Sequence, residues 1–215
     1  MARLPDRERY KDCPICHEED PLRFHYWPVI GRLYRRRIDG CVALLASGRR
    51  VLDVGYGSGT SFLELGARFQ EVHGLDMHDY GPSIARVFEG EGLSVRLERG
   101  SILAPPYPDA FFDAILAMSV LEHLKPEEQP RVMEQAHRLL CSGGVLVVGV
   151  PGLNAMMSLA FRLMGVDISG HHFSSPRVVV KAAARRFTID RIVRQPPLLP
   201  DAFQTYLWFR ARKNG

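Results

Sequence analysis

The chain has 215 residues, 46% of them hydrophobic and 24% charged, with a net charge of +4. That size and balance are those of one soluble globular domain with a single sizeable core, and no run approaches the roughly 18 apolar residues of a membrane span. The basicity is too mild to be a nucleic-acid signature by itself, although nine Lys/Arg against two Asp follow from Arg177 onward.

Residues 1–28 read as a polar, irregular extension with a local aromatic group, Phe24, Tyr26 and Trp27. No apolar run marks a secretory signal, so the cytoplasm is the expected location. "CPICH" at 13–17 matches the haem-attachment pattern, but that chemistry needs export and an axial partner. As half a zinc site it lacks a second cysteine pair, though His17 and His25 are the residues that would complete one. The expectation is an ordinary reduced pair, Cys13 and Cys16, and no metal.

Apolar residues at helical spacing from Ile30 to Leu45 predict an amphipathic helix over 29–46, stopped by Ser47-Gly48, with Arg32, Arg35 and Arg36 opposite. Such a basic helix either packs on a sheet or lies on a membrane, and a peripheral membrane contact is carried as the second option. Strand and helix then alternate. Strands are expected at 51–54, 71–76, 93–100, 112–119 and 144–150. Helices are expected at 58–70 (Phe62, Leu65 and Phe69 inward), 83–89 and 126–140. Ser175 and Pro176 cap a late helix. Segments 187–193 and 205–211 read as two last strands joined by a Pro-rich loop. Repeated βα units imply an α/β architecture of three layers: a doubly wound, mostly parallel sheet with ligands at the carboxyl ends of its strands.

The turn after the first strand, "VLDVGYGSGT" at 51–60, carries the chemistry. A phosphate loop would need Gly-Lys-Ser/Thr, which is absent. The dinucleotide fingerprint G-x-G-x-x-G fails because Gly59 arrives one residue early after Gly55 and Gly57. Asp76 ends the second strand 21 residues after Gly55, where a carboxylate accepts hydrogen bonds from a ribose diol. NAD and S-adenosylmethionine both present one. Asp53, just before the glycines, would repel a pyrophosphate but suits an ammonium and a sulfonium. A structural role for Asp53, bonding the backbone of the loop, is the alternative.

"VLDVGYGSGT", "GLDMH", "GSILAPPYPDAFFDAILAMSVLEHL" and "GGVLVVGVP" resemble, in order and spacing, the motifs of class I S-adenosylmethionine-dependent methyltransferases. The resemblance is to those of ubiquinone and menaquinone biosynthesis type and their small-molecule relatives, and it covers roughly 49–195. It implies a Rossmann-like sheet of seven strands ending in an antiparallel hairpin. It also implies S-adenosylmethionine as cofactor, with S-adenosylhomocysteine as product. By position, Gly55, Tyr56, Gly57 and Gly59 would form the loop under the methionine part, Asp53 would hold the amino end and Asp76 the ribose. Met77 and Ile102 would pack on adenine, and Met118 and Ser119 would line the methionine side. Where the family often has Gly-Asp, this chain has Gly100-Ser101, so Ser101 is the candidate for the adenine amino group.

Pro105-Pro106 precede the fourth strand and lack a leading acid or amide, which argues against base N-methylation, and no nucleic-acid partner is expected. His123 is the candidate general base, with a structural histidine as the alternative. The segment 152–174 is expected to be a lid insert on the domain 29–215. Its apolar stripe includes Met156 and Phe161, followed by His171 and His172, and these four are the acceptor-pocket candidates. The expected activity is methyl transfer to oxygen or carbon of a small or lipid-like acceptor by a monomer or homodimer. A non-catalytic ligand-binding protein on the same fold, an NAD-linked oxidoreductase and, more weakly, an RNA enzyme are the rivals.

Overall fold

The computed structural model describes residues 1–13, 22–152, 173–196 and 204–214. Seven strands are present: β1 (Gly48–Val54), β2 (Phe69–Asp76), β3 (Val95–Arg99), β4 (Phe112–Met118), β5 (Leu140–Pro151), β6 (Thr188–Gln195) and β7 (Tyr206–Arg212). They form one sheet in the order β3-β2-β1-β4-β5-β7-β6. The first five are mutually parallel, and β7 inserts antiparallel between β5 and β6. The chain runs outward from β1 to β3, then returns to place β4 on the other side of β1. That reversal opens a crevice at the carboxyl ends of β1 and β4, the usual ligand position in such sheets.

Side-chain alternation along the central strands builds two cores. Val51, Ala114, Leu116, Val145 and Val147 face one layer, while Leu52, Val54, Ile115, Ala117, Leu146 and Val148 face the other. The first layer holds α1 (Ile30–Val42), α2 (Phe62–Gly66) and α3 (Gly81–Glu89). Their Ile38, Cys41, Phe62, Leu65, Ile84 and Phe88 are all fully buried. The second layer holds α4 (Gln129–Leu139) and α5 (Pro176–Ala183), which contribute Val132, Met133, Ala136, Leu139 and Val179. Each Val, Leu or Met among them contributes about 1.5–3 kcal/mol on burial. This continuous apolar character on both faces is why β4 and β5 read so clearly as central strands.

Several element boundaries differ from the sequence reading, each for a local reason. The helix expected at 58–70 is only Phe62–Gly66. Gly57 and Gly59 adopt positive φ, which holds the preceding residues in turns, and Phe69 alternates into β2 instead. The helix expected from 126 begins at Gln129 with Pro130 in its first turn, and Leu140 already belongs to β5. α1 ends at Val42, so Ser47-Gly48 is not its stop; Gly48 opens β1, where a Cβ would lie 3.0 Å from Asp113. Ser175 holds the N-cap position of α5, yet its side chain makes no capping bond.

The N-terminal stretch packs on the domain despite its polarity. Tyr10 and Cys13 are buried, the Tyr10 hydroxyl donates to Ser58 O at 3.1 Å, and Arg9 pairs with Glu91 at 2.6 Å. Cys16 and His17 lie outside the described residues. No helix among the described residues is long and apolar enough to cross a membrane.

Candidate functional site

A cavity of about 590 Å³ opens at the carboxyl end of the sheet, where β1 and β4 diverge. One wall is the turn after β1. Gly55 and Gly57 have φ of +67° and +50°, a region that side-chain-bearing residues rarely adopt. A Cβ on Gly55 would also stand 2.5 Å from the Val120 side chain. The turn therefore needs glycine twice over at Gly55, once for its backbone and once for the approach of β4's exit loop.

Asp76 braces this turn from the end of β2. Its Oδ2 accepts from Gly57 N at 2.9 Å, and its Oδ1 accepts from Met77 N at 2.7 Å. His78 lies 3.6 Å from the same carboxylate. Asp53, 3% exposed, accepts from the Ser61 hydroxyl. Burial pushes its carboxyl up to about 7; the Ser61 bond opposes that rise and the nearby Asp76 charge adds to it. Asp53 thus bonds a side chain just past the loop rather than the loop backbone that its structural alternative named, and it lines the cavity as well.

The other wall comes from α1, the turn before it and the loop after β4. Arg37 was not singled out by the sequence reading, yet it lines the cavity at 8% exposure. Its guanidinium lies over the rings of Tyr34 and Tyr206, 4.7 Å from each centroid, and its Nε has no hydrogen-bond partner. A buried guanidinium on a cavity wall, with one donor unused, is suited to receive an anionic group. On the helical wheel Arg37 falls between Tyr34 and Cys41, inside the apolar stripe. That position was the available signal.

Ser119 follows β4 with φ of +56°, and its Oγ is 2.8 Å from the Tyr206 hydroxyl. Strain of this kind in a non-glycine residue concentrates at functional sites. Glu122 was also passed over by the sequence reading. It is 1% exposed, its Oε2 is unpartnered, and burial pushes its carboxyl up to about 8, opposed by the Arg37 charge. Its backbone carbonyl accepts from Phe173 N and Ser174 N, which ties the loop after β4 to the segment leading into α5. His123, exposed in the 3-10 turn Leu121–His123, lies on the cavity wall.

Of the residues selected from sequence, Asp53, Gly55, Tyr56, Gly57, Asp76, Met77, Met118, Ser119 and His123 come together around this cavity. Met77 sits at the rim, 70% exposed. Gly59, Ser101 and Ile102 are not on its wall. Gly59 is held by packing, since a Cβ there would meet the Phe62 and Phe88 rings at 2.6 and 2.7 Å. Ser101 Oγ accepts from Leu103 N within its own turn, and Ile102 is buried in the second core. Met156, Phe161, His171 and His172 lie outside the described residues.

The geometry fits a ligand with a diol or ammonium at one end and a carboxylate at the other. Two carboxyl groups line the β1–β2 side, a guanidinium lines the α1 side, and the glycine turn lets backbone approach between them. Residues 51–144 match the model of a methyltransferase domain. The chain is similar to a demethylmenaquinone methyltransferase of Deinococcus radiodurans, 35% identical over 133 residues, covering 60% of this chain and 54% of the relative. It is also similar to a ubiquinone biosynthesis O-methyltransferase of Alkalilimnicola ehrlichii, 29% identical over 159 residues, covering 73% and 58%. The chain spans about half the length of these curated relatives. Among solved structures, the N-methyltransferase NodS of Bradyrhizobium japonicum, in complex with S-adenosyl-L-homocysteine, superposes with a TM-score of 0.68 at 17% identity, covering 96% of this chain and 99% of that one. At that identity the likeness is one of fold.

Proposed function

We propose, on the premise that this chain carries a methyltransferase domain on the Rossmann-like class I fold, that it transfers a methyl group from S-adenosylmethionine to a small or lipid-like acceptor, at oxygen or carbon. The observation that carries the reading is the polar layout of the cavity, with Asp53 and Asp76 on one side and the Arg37 guanidinium on the other. When bound, the cofactor supplies a methyl group activated by its sulfonium.

The residues divide the work of holding it. Asp76 accepts from the ribose hydroxyls while the Gly57 and Met77 amides keep its carboxylate in place. Asp53 ionises on meeting the ammonium, and Arg37 pairs with the methionine carboxylate. Charge-assisted bonds of this type are the strong class of hydrogen bond. Gly55, Tyr56 and Gly57 pass beneath the methionine chain, with Met118 and Ser119 opposite. Met77 covers the rim on the adenine side. Methyl transfer asks mainly for orientation and exclusion of water. His123 is placed to take a proton from an acceptor hydroxyl that is not already ionised.

Incubation of the protein and methyl-labelled S-adenosylmethionine with fractionated cell extract tests this. Label is expected in the small-molecule or lipid fraction. Label confined to RNA or protein would overturn the acceptor class, and no transfer to any fraction would overturn the activity.

A further inference from the structure

α1 has two faces. Tyr34 and Arg37 on one side line the cavity. On the other, Val29, Arg32, Leu33 and Arg36 recur at i, i+3, i+4 and i+7, a single outward stripe. Val29 is 79% exposed and Trp27, just before it, is 46% exposed. Arg32 and Arg36 are exposed, as is Arg23 in the preceding turn, whose guanidinium lies 4.7 Å from the Phe24 ring centroid. Arg35, half-buried, bonds back to Gly31 O at 3.4 Å.

Among the described residues the charge on this face is uncompensated. Among the described residues, none of Arg23, Arg32, Arg35 and Arg36 has a carboxylate within ion-pair distance. Elsewhere the pattern differs: Arg3, Arg9, Arg49, Arg96, Arg138 and Arg210 each pair with a Glu or Asp. The one acid of α1, Asp39, lies 3.9 Å from the N-terminal amine.

Exposed tryptophan and valine beside unpaired arginines are what an anionic bilayer surface receives. Tryptophan settles at headgroup depth, and arginines take the lipid phosphates. A second copy of the chain is disfavoured on this face, because a twofold contact would set like charges together. We propose that Arg23 and the Trp27–Arg36 face form a docking surface for anionic lipid membranes. Docking there sets the cavity-lining helix at the bilayer, the source of a lipophilic acceptor. That last consequence rests on the proposed function; the docking itself does not.

The test is co-sedimentation of the full chain with phosphatidylcholine vesicles, with and without phosphatidylglycerol. Binding is expected to the anionic vesicles only, falling at least fivefold in high salt. The paired change R32E/R36E is expected to lower partition tenfold or more, and W27A several-fold. Arg191→Glu, on edge strand β6, leaves it unchanged. Of the chain's two tryptophans, Trp27 and Trp208, the first is expected to carry a blue shift in emission that W27F abolishes. Equal melting temperatures and equal S-adenosylhomocysteine binding in wild type and R32E/R36E show that the variant is folded. Equal binding to neutral vesicles overturns the proposal, as does equal loss in R191E. Retention of an RNA homopolymer without vesicle binding overturns it as well. Vesicle binding without S-adenosylhomocysteine binding would count against the proposed function alone.

Discussion

The two walls of the cavity are built by different means. The β1–β2 wall is backbone held by backbone: two glycines at positive φ, and a carboxylate locked by the amides of Gly57 and Met77. The α1–β4 wall is side chains from distant elements: Arg37 between two tyrosines and Ser119 on Tyr206, with Glu122 buried behind the loop after β4. The first wall is preorganised for a fixed ligand. The second keeps unspent hydrogen-bonding capacity and can be adjusted without rebuilding the sheet. Under the proposed function the first wall would hold the ribose and the ammonium, while the second would bring Arg37 and Ser119 to the methionine part, beside His123.

Substitutions on the two walls should therefore fail differently. The largest effect is expected for Asp76→Ala, which removes both the ribose acceptors and the brace on the turn. Loss of about two charge-assisted bonds lowers S-adenosylhomocysteine affinity a hundredfold or more by calorimetry. A loss under tenfold would mean that this wall does not hold the ribose. Gly55→Ala acts on the fold as well, since it forces an unfavourable φ against the Val120 side chain. A destabilisation of about 2–3 kcal/mol is expected in denaturant unfolding. Arg37→Met, by contrast, keeps the stem between the tyrosines and removes only the charge. Affinity for S-adenosylhomocysteine is expected to fall about tenfold while thermal stability holds or rises, because a buried cation with no carboxylate in ion-pair distance among the described residues is gone. A fall in stability with unchanged affinity would reassign Arg37 to the fold.

The smallest effect is the pH dependence. Asp53 has a folded-state pKa raised from 3.8 to about 7. A raised carboxyl favours the folded protein below its unfolded pKa. That contribution is lost as pH rises from about 4 through 7, so unliganded stability should decline across this window. Glu122, raised from 4.5 to about 8, extends the decline upward. An ammonium-bearing ligand needs Asp53 ionised, so its binding below pH 7 should release close to one proton. Affinity should rise by up to tenfold per unit toward pH 7, then level off. Titrations at pH 6 in two buffers of different ionisation enthalpy measure the proton; none released would place the ammonium away from Asp53.

The same contrast governs what the sequence discloses. The β1–β2 wall was legible because its parts are local. A buried strand, two glycines that only a turn explains, and an acid at the end of the next strand fix one another by spacing. The strand alternation in β4 and β5 was legible for the same reason. The α1–β4 wall depends on which residues of separate elements meet. Arg37 was obscured because Arg32 and Arg36 of the same helix do face outward. Glu122 was obscured by its histidine neighbour. Gly59 shares the glycine motif and its positive φ, and the Phe62 and Phe88 rings add a packing demand for glycine that spacing alone does not show.

The most direct test of the central claim is a calorimetric titration of the wild-type chain with S-adenosylhomocysteine and, separately, with NAD, at pH 7.5. One-to-one binding of S-adenosylhomocysteine with no heat from NAD is expected. Binding of NAD with no heat from S-adenosylhomocysteine would contradict the assignment of this cavity.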